Sequence, residues 1–303
     1  MGRKRVVFRA KALRVRYWKP RCDYLHAIVD ALKGVVRDGD IVAVSEKAIS
    51  TATGNLVDEA NVKPGLTARF LAWFWTRLVW GYILGFLCHM KPETIRRLRG
   101  YPVLEGARHK QVALEHAGLL SALNWGSEGG IDGSNLPYSL VSLPLRNPRA
   151  VAEGIKNAIR RRLGKRVAVI IIDTDKTYSL KCVHFTPRPT HVDGIIGGMG
   201  IIAYLVGRGL RLKSRATPVA VAGAKISTED ALRIADLANR AMGHGAGRNI
   251  WEMAERFNAP ISGVTWEMLE TVEHKPIAIV RARRIVDRPK RISPPPQPRG
   301  TSQ

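Results

Sequence analysis

Val167-Ala-Val-Ile-Ile-Ile172 is the apolar run that decides the fold, and Asp173-Thr174-Asp175 follows it directly. β-Branched residues dominate the run, and Gly164 ends a helical pattern just before it. This combination predicts a strand that is covered on both faces of a sheet. Because open sheets bind ligands beyond the carboxyl ends of their strands, Asp173 is a candidate ligand-binding carboxylate.

A second candidate carboxylate lies in the glycine-rich turn Gly129-Gly-Ile-Asp-Gly-Ser-Asn135. Glycines allow the backbone of such a turn to approach a ligand closely. Asp132 of this turn and Asp173 together would suit a hard cation such as Mg²⁺, which prefers oxygen ligands. Aspartate also commonly caps its own backbone in a turn, so a purely structural role is the alternative interpretation of each residue.

Other patterns outline a chain that mixes helices and strands. Alternation of apolar and basic residues predicts a strand at 5–15, and helical spacing closed by a glycine predicts helices elsewhere. The remaining predictions are helices at 23–32, 148–163 and 228–242, strands at 40–45 and 276–280, a turn at 50–54, and a glycine-rich loop at 243–249 that opens a helix ending near 257. The segment 183–215 shows no clear pattern.

Residues 70–90 form the most hydrophobic stretch of the chain, and Arg77 is their only full charge. The stretch is long enough to cross a bilayer, but Arg77 lies near its middle and the aromatic residues spread through it. We therefore expect a buried helix or a dimer-interface helix. A helix lying on a membrane surface is the second interpretation.

Charge and cysteine content limit the function classes. The net charge is +24, concentrated in residues 1–22 and 281–299, and the rest of the chain still carries +9. This charge suits polyanionic ligands such as nucleotides, and equally a solvated basic surface. Three scattered cysteines predict neither a zinc ribbon nor a disulfide framework, and no apolar run of signal-peptide length follows the N-terminus. We expect a cytoplasmic protein.

Five segments resemble, in order, the coenzyme F420-0:L-glutamate ligases, and the similarity spans roughly residues 10–284. They are Ser45-Glu-Lys-Ala-Ile-Ser-Thr-Ala-Thr-Gly54, Gly130-Ile-Asp-Gly-Ser-Asn135, Leu143-Pro-Leu-Arg-Asn-Pro148, Val169-Ile-Ile-Ile-Asp-Thr174 and Ala238-Asn-Arg-Ala-Met-Gly243. The resemblance to a divergent archaeal member implies an α+β fold with mixed sheets and an intertwined homodimer. We expect one domain at 1–284, which includes the hydrophobic helical segment 64–100, and a disordered basic, proline-rich tail at 285–303.

The resemblance also implies an activity. Members of this family use GTP to activate a carboxylate as an acyl phosphate, which the amine of an amino acid, glutamate in the family, then attacks. The implied partners are GTP, a small acidic acceptor such as coenzyme F420-0, and an amino acid. The implied ions are Mg²⁺ or Mn²⁺, with K⁺ as a further candidate.

Residue by residue, the resemblance assigns two sets of ligands. Metal ligands by this similarity are Asp132, Asp173, Thr174 and His244, where His244 replaces the family's Glu or Gln. Nucleotide-binding residues by the same similarity are Ser50, Asn135, Met242, Gly243, Gly245, Gly247, Arg248 and Asn249. The stretch 17–20 weakly matches the family's base-binding segment.

Two departures from the family pattern leave a second function open. The family's lysine after the serine is Thr51 here, with Lys47 as a nearby substitute, and the D-T-x-G-R pattern has become Asp173-Thr-Asp-Lys-Thr-Tyr178. Neither a P-loop nor a dinucleotide-binding glycine motif is present. The alternative to a ligase is a non-catalytic nucleotide- or RNA-binding protein that retains the fold.

Overall fold

The computed structural model describes residues 4–126 and 128–286, in which nine strands and twelve α-helices are ordered along the chain. The strands are β1 Lys4–Val15, β2 Ile41–Ser45, β3 Leu56–Asp58, β4 Leu140–Ser142, β5 Ala168–Leu180, β6 Val183–Phe185, β7 Ile195–Ile196, β8 Lys213–Ala222 and β9 His274–Val286. The helices are α1 Tyr24–Leu32, α2 Glu46–Ala52, α3 Leu66–Phe70, α4 Gly85–Leu87, α5 Pro92–Arg99, α6 Val103–Ala117, α7 Leu119–Ala122, α8 Pro148–Leu163, α9 Gly200–Gly209, α10 Thr228–Met242, α11 Ile250–Phe257 and α12 Trp266–Glu270. A π-helix, Leu71–Leu84, joins α3 to α4.

A mixed seven-stranded sheet forms the centre of the fold. Its strand order is β1-β9-β2-β5-β6-β7, and β8 also pairs with β5. β2 and β5 are parallel, whereas β1, β9 and β8 run antiparallel to their neighbours. The predicted mixture of helices and strands, with a mixed sheet, is confirmed.

The sheet is covered on both faces because alternate residues of its central strands point in opposite directions. Val42 and Val44 of β2 pack with α1, α2 and α8 on one side. Ala43 of the same strand packs with α10 on the other side, together with Ile170 and Ile172 of β5. The double burial explains why the run at 167–172 is apolar without interruption.

Local sequence signals set the ends of several helices as predicted. Asp23 accepts a hydrogen bond from the backbone N–H of His26 at the start of α1, and Asn147 caps α8 in the same way. Gly164 ends α8 in the left-handed conformation, with φ of +68°. The helices predicted at 23–32, 148–163 and 228–242 are therefore confirmed.

Two local predictions need correction. The turn predicted at 50–54 is confined to Thr53 and Gly54, because α2, which Ser45 caps at its start, extends from Glu46 to Ala52. β5 does not end at Ile172 but continues to Leu180. A bulge interrupts it, since Asp173 pairs with Thr217 and the next paired residue, Lys176, lies opposite Ala216. Residues 287–303, most of the predicted disordered tail, lie outside the described part of the chain.

The hydrophobic segment is a continuous helix, Leu66–Leu87, with a mean hydropathy of 1.3, and by length and composition alone it could cross a membrane. One third of its most apolar window is buried, so the first of the two expected alternatives, a buried helix, is wrong, and the dimer-interface alternative stays a prediction. Its inner side is fixed because the indole N–H groups of Trp75 and Trp80 both donate to the backbone carbonyl of Leu123. Its opposite side is exposed.

Candidate functional site

A cavity of about 880 Å³ opens where the glycine-rich turn, the bulge of β5 and the loop after α10 meet. This volume is within the range of small-molecule sites. Ten of the twelve residues predicted for the site line it, namely Asp132, Asn135, Thr174, Met242, Gly243, His244, Gly245, Gly247, Arg248 and Asn249. Ser50 and Asp173 do not line it.

The glycine-rich turn presents Asp132 at the cavity wall. The backbone of Asp132 pairs with Ser142 of β4, which fixes its position. One carboxylate oxygen, Oδ1, accepts the backbone N–H of Ser134 at 2.7 Å. The other, Oδ2, accepts Lys47 Nζ at 2.8 Å, and Lys47 also bonds the Ser134 hydroxyl at 2.7 Å. A lysine from the first turn of α2 thus forms an ion pair with the carboxylate at the cavity wall.

Asn135 joins the turn to the glycine-rich loop. Its side-chain oxygen accepts the backbone N–H of Ala246 at 2.5 Å, and its Nδ2 donates to the carbonyl of Gly247 at 3.0 Å. The Tyr17 hydroxyl donates to the carbonyl of Asn135. Gly245 has φ of +58°, and a Cβ there would lie 2.5 Å from Asn135 Oδ1. The close contact between turn and loop therefore requires glycine at position 245.

The loop at 243–249 leaves α10 through Gly243, whose φ of +75° ends that helix. Asn249 then caps α11 by accepting the backbone N–H of Glu252, so its side-chain oxygen already has a partner. Most of the His244 side chain is exposed, but part of it is shielded from water. This partial burial, followed by the nearby cations Arg248 and Lys176, lowers the pKa of His244. The imidazole is consequently more readily neutral than an ordinary histidine, which is the form that binds metals.

The bulge in β5 carries Thr174, Asp175 and Lys176 to the cavity. Bulges commonly re-aim side chains next to active sites, and this one does so at the predicted D-T motif. Asp175 and Lys176 are site residues that the sequence prediction missed. The feature of the sequence that could have identified them is their position just after the buried apolar run at 167–172.

Asp173 lies beneath the cavity wall in a buried ionic cluster. Its Oδ2 accepts a hydrogen bond from Arg188 Nη1 at 2.5 Å, and the same guanidinium nitrogen contacts the carboxylate of Glu46. Burial raises the pKa of Glu46, an effect that Arg188 partly offsets and that the nearby Asp173 increases. Arg188 sits in a segment where the sequence showed no clear pattern, so this cluster was not predicted.

Ser50, the other predicted residue away from the cavity, is fully buried in α2. Its hydroxyl donates to the carbonyl of Leu143 at 2.8 Å. Asn55 Nδ2 donates to the same carbonyl at 3.0 Å. Ser50 therefore anchors the strand that follows the glycine-rich turn, and it acts on the cavity only through that backbone.

A second charged cluster lines the far part of the cavity, and the sequence prediction missed it. His109 Nδ1 lies 2.5 Å from Glu59 Oε1, and its Nε2 lies 3.5 Å from Glu128 Oε2. Burial alone would lower the pKa of His109, but the two carboxylates raise it to about 10. Burial likewise opposes ionisation of Glu128, but Lys110 and His109 lower its pKa to about 2. The helical spacing of Lys110 between Ala107 and Ala113, both buried, was the available signal.

The segment predicted to meet a base lies against the last strand. The rings of Tyr17 and His274 are 4.4 Å apart, and Trp18 lies at 5.8 Å from His274. Burial, followed by the charge of Lys47, lowers the pKa of His274 to about 4, so the imidazole is neutral at neutral pH. Tyr17, Trp18 and His274 all line the cavity and give it an aromatic wall.

The donor atoms fit a divalent cation in part. Within residues 4–126 and 128–286, no group of three or more His, Cys, Asp or Glu side chains is arranged to hold a metal. Asp132, Thr174 and His244 nevertheless border one cavity. Mg²⁺ commonly takes one or two carboxylates and completes its shell with phosphate oxygens and water. This donor set therefore fits a cation that arrives with a phosphate ligand.

The chain matches a protein family and individual proteins to very different extents. Residues 12–247 match the family described as F420-0:Gamma-glutamyl ligase. An uncharacterized protein of Methanocaldococcus jannaschii is 37% identical over 287 residues, which cover 91% of this chain and 97% of that protein. A coenzyme F420:L-glutamate ligase of Methanothermobacter thermautotrophicus is 26% identical over 140 residues, which cover 45% of this chain and 48% of that enzyme.

Proposed function

The chain belongs to the F420-0:gamma-glutamyl ligase family, and from that premise we propose that it is a GTP- and divalent-metal-dependent ligase. The γ-phosphoryl group of GTP passes to a carboxylate acceptor such as coenzyme F420-0, which yields an acyl phosphate and GDP. The amine of an amino acid, glutamate in the family, then attacks the acyl carbon. Phosphate leaves, the amine loses a proton, and an amide bond forms.

One observation carries the proposal. Asn135 bonds the loop at Ala246 and Gly247, and this contact closes the turn that bears Asp132 against the loop that bears Arg248. The side chains that line this part of the cavity include three cations, Lys47, Lys176 and Arg248. A carboxylate among several cations and glycine-rich backbone matches the needs of a metal-bound polyphosphate.

The chain's own residues divide the work by their position. Lys47, which now pairs with Asp132, would leave that carboxylate to the metal ion and pair with a phosphate oxygen nearby. Asp132 and Thr174, with His244, would hold the metal ion, which supplies neutralisation of the phosphate charge. Tyr17 and His274 provide the aromatic wall against which a nucleobase ring can pack. Positioning and charge neutralisation supply most of the catalysis in such phosphoryl transfers.

Incubation with GTP, Mn²⁺ or Mg²⁺, coenzyme F420-0 and glutamate tests the proposal directly. Mass spectrometry should detect the glutamyl product together with GDP. Asp132→Asn should reduce the rate by about 100-fold or more, because the charged carboxylate proposed to hold the phosphate-neutralising metal ion is lost. Asp193→Asn is the matched control, since the Asp193 side chain is fully exposed, and it should retain the wild-type rate.

We further propose that the enzyme is a homodimer, as the resemblance implies. Sedimentation velocity of the wild-type protein at several concentrations tests this assembly without reference to activity. A species of one chain at every concentration would contradict it.

A non-catalytic nucleotide-binding or RNA-binding protein is the second candidate, and a specific observation favours it. Arg188 forms an ion pair with Asp173, the residue that the resemblance assigns to the metals. A site with one metal carboxylate fewer could bind GTP without transferring its phosphate. Calorimetric binding of GTP or RNA, combined with no product and no GDP in the assay above, would select this candidate over the ligase.

A further inference from the structure

The outward side of the helix Leu66–Leu87 presents a continuous row of large apolar side chains, which we call the apolar face. Its exposed members on this helix are Leu66, Phe70, Trp73, Phe74, Leu78, Tyr82, Ile83, Phe86 and Leu87. Five of them recur at every fourth residue from Phe70 to Phe86. Contiguous exposed apolar patches of this kind mark surfaces that bind a partner protein or a membrane.

The apolar face continues onto α9. Ile202 and Val206 of that helix and Leu210, the residue directly after it, are exposed, again at every fourth residue. The carbonyl of Leu87 lies 3.8 Å from the position that a Cβ would take on Gly209, so the C-terminal ends of the two helices are adjacent. The face therefore spans two helices that the tertiary structure brings together.

Packing on the inner side prevents this helix from crossing a bilayer in the described fold. Trp80 is fully buried and its ring packs edge-on against Tyr204 of α9 at 5.6 Å. Arg77 Nε donates to the carbonyl of Arg99, and Arg99 Nε donates to the carbonyl of Gly81. A spanning helix would have to lose these contacts and expose the freed polar groups to lipid. In this fold, only the outer side of the helix is therefore free to contact a membrane or another partner.

Basic residues border the apolar face, and acidic ones are scarce there. Residues 66–92 contain Arg69, Arg77 and Lys91 but no Asp or Glu. Arg69 adjoins one end of the face, and Lys91 and Arg211 lie at the other, where Arg211 contacts His89. Among the described residues, Arg69, Lys91 and Arg211 form no ion pair. Their charges are available to an anionic partner.

We propose that the apolar face binds the surface of an anionic lipid membrane. Aromatic and aliphatic side chains would enter the boundary between headgroups and acyl chains, while the basic border contacts lipid phosphates. A second copy of the chain suits the face less well. A twofold interface sets the same patch against itself, and since both ends are basic, either orientation of the helices would bring cations together. The net charge of +24 adds to that repulsion and to attraction by an anionic membrane.

Flotation of the purified full-length protein with unilamellar vesicles tests the proposal. Vesicles of equal parts phosphatidylglycerol and phosphatidylcholine should carry the protein to the top of a density gradient. Pure phosphatidylcholine should carry much less, and added salt should weaken binding to the mixed vesicles. Arg69→Gln and Arg211→Gln should each lower the partition coefficient about fivefold, the effect of removing one surface cation.

A matched pair of double variants separates the apolar contribution from folding. Phe74→Ser with Phe86→Ser should reduce partition by more than about tenfold, because two apolar rings no longer enter the lipid. Phe74→Leu with Phe86→Leu should retain most of the binding. Val35→Ser, an exposed apolar position on the far loop after α1, should bind like the wild type. Circular dichroism melting curves establish that all variants are folded.

Three results would overturn the proposal. The first is a protein that stays at the bottom of the gradient with the mixed vesicles. The second is equal binding to both vesicle types, which would remove the role of the basic border. The third is an assembly that dissociates to monomers in the serine double variant while lipid binding is absent, which would make the face an interface between copies.

Discussion

Asp132 and Asp173 are two carboxylates with one cation each, and their surroundings differ sharply. The Asp132 side chain is 31% exposed and its partner Lys47 is 18% exposed. The Asp173 side chain is 10% exposed, and its partner Arg188 is 1% exposed. Arg188 also contacts a second buried carboxylate, Glu46.

This difference in exposure gives the two ion pairs different roles. A flexible lysine at a cavity wall can exchange its carboxylate for a ligand at little cost, because water and phosphate can solvate both partners. A buried guanidinium between two carboxylates cannot leave without making both carboxylates uncompensated negative charges in the interior. Exposure therefore makes Asp132 available to ligands, and burial makes Asp173 part of the framework beneath them.

Arg188→Met should produce the largest effect of this comparison. Loss of the guanidinium leaves Glu46 and Asp173 close together and uncompensated, at an expected cost of about 3–5 kcal/mol in the free energy of unfolding. Lys47→Met, the matched change at the more accessible pair on the cavity wall, should cost about 1 kcal/mol or less. Urea denaturation measures both. Equal losses in the two variants would show that burial does not separate the pairs.

The His109 cluster tests a group between these extremes, buried yet facing the cavity. Its folded-state pKa of about 10 lies above the unfolded value of 6.5, so its stabilisation is complete below pH 6.5 and disappears as pH rises through 10. The free energy of unfolding should fall across this window by at most about 1.4 kcal/mol per pH unit. His109→Gln should flatten that slope. A variant that keeps the wild-type slope would assign the pH dependence to other groups.

Asp173→Asn should cost about 2 kcal/mol of stability without any metal present, because Arg188 loses a charged hydrogen-bond acceptor. Asp132→Asn should leave the metal-free melting temperature nearly unchanged and act on ligand binding instead. Calorimetric melting of both proteins in a chelator separates the two effects. A stable Asp173→Asn protein that fails to bind GTP would return Asp173 to the ligand set.

His244→Glu should give the smallest change, a shift in metal preference from Mn²⁺ toward Mg²⁺ of about fivefold. Imidazole suits Mn²⁺ better than Mg²⁺, whereas a carboxylate suits both. Titration of GTP binding with each ion measures the ratio, and His191→Glu outside the cavity is the control. Identical ratios in the wild type and His244→Glu would remove His244 from the metal site.

Most of the candidate site could be predicted because its motifs are local. The glycines in two segments predict tight turns. These segments contain Asp132, Asn135 and the loop at 243–249, and they line one cavity. Ser50 was placed with them by resemblance alone, and Asp173 by resemblance together with its position after a predicted buried strand. Their side chains point into the interior because α2 starts at Glu46 and because the bulge of β5 begins only after Asp173.

The sequence by itself determined the elements whose signals lie within a few residues, such as the buried strand after Gly164 and the capped start of α8 at Asn147. Tertiary structure decided what depends on distant partners. Arg188 reaches Glu46 from 142 positions away along the chain, and the exposed side of Leu66–Leu87 exists because Trp80 packs inward against α9. Hydrophobic periodicity predicts which face of a helix is apolar. Only packing decides whether the rest of the protein or another surface covers that face.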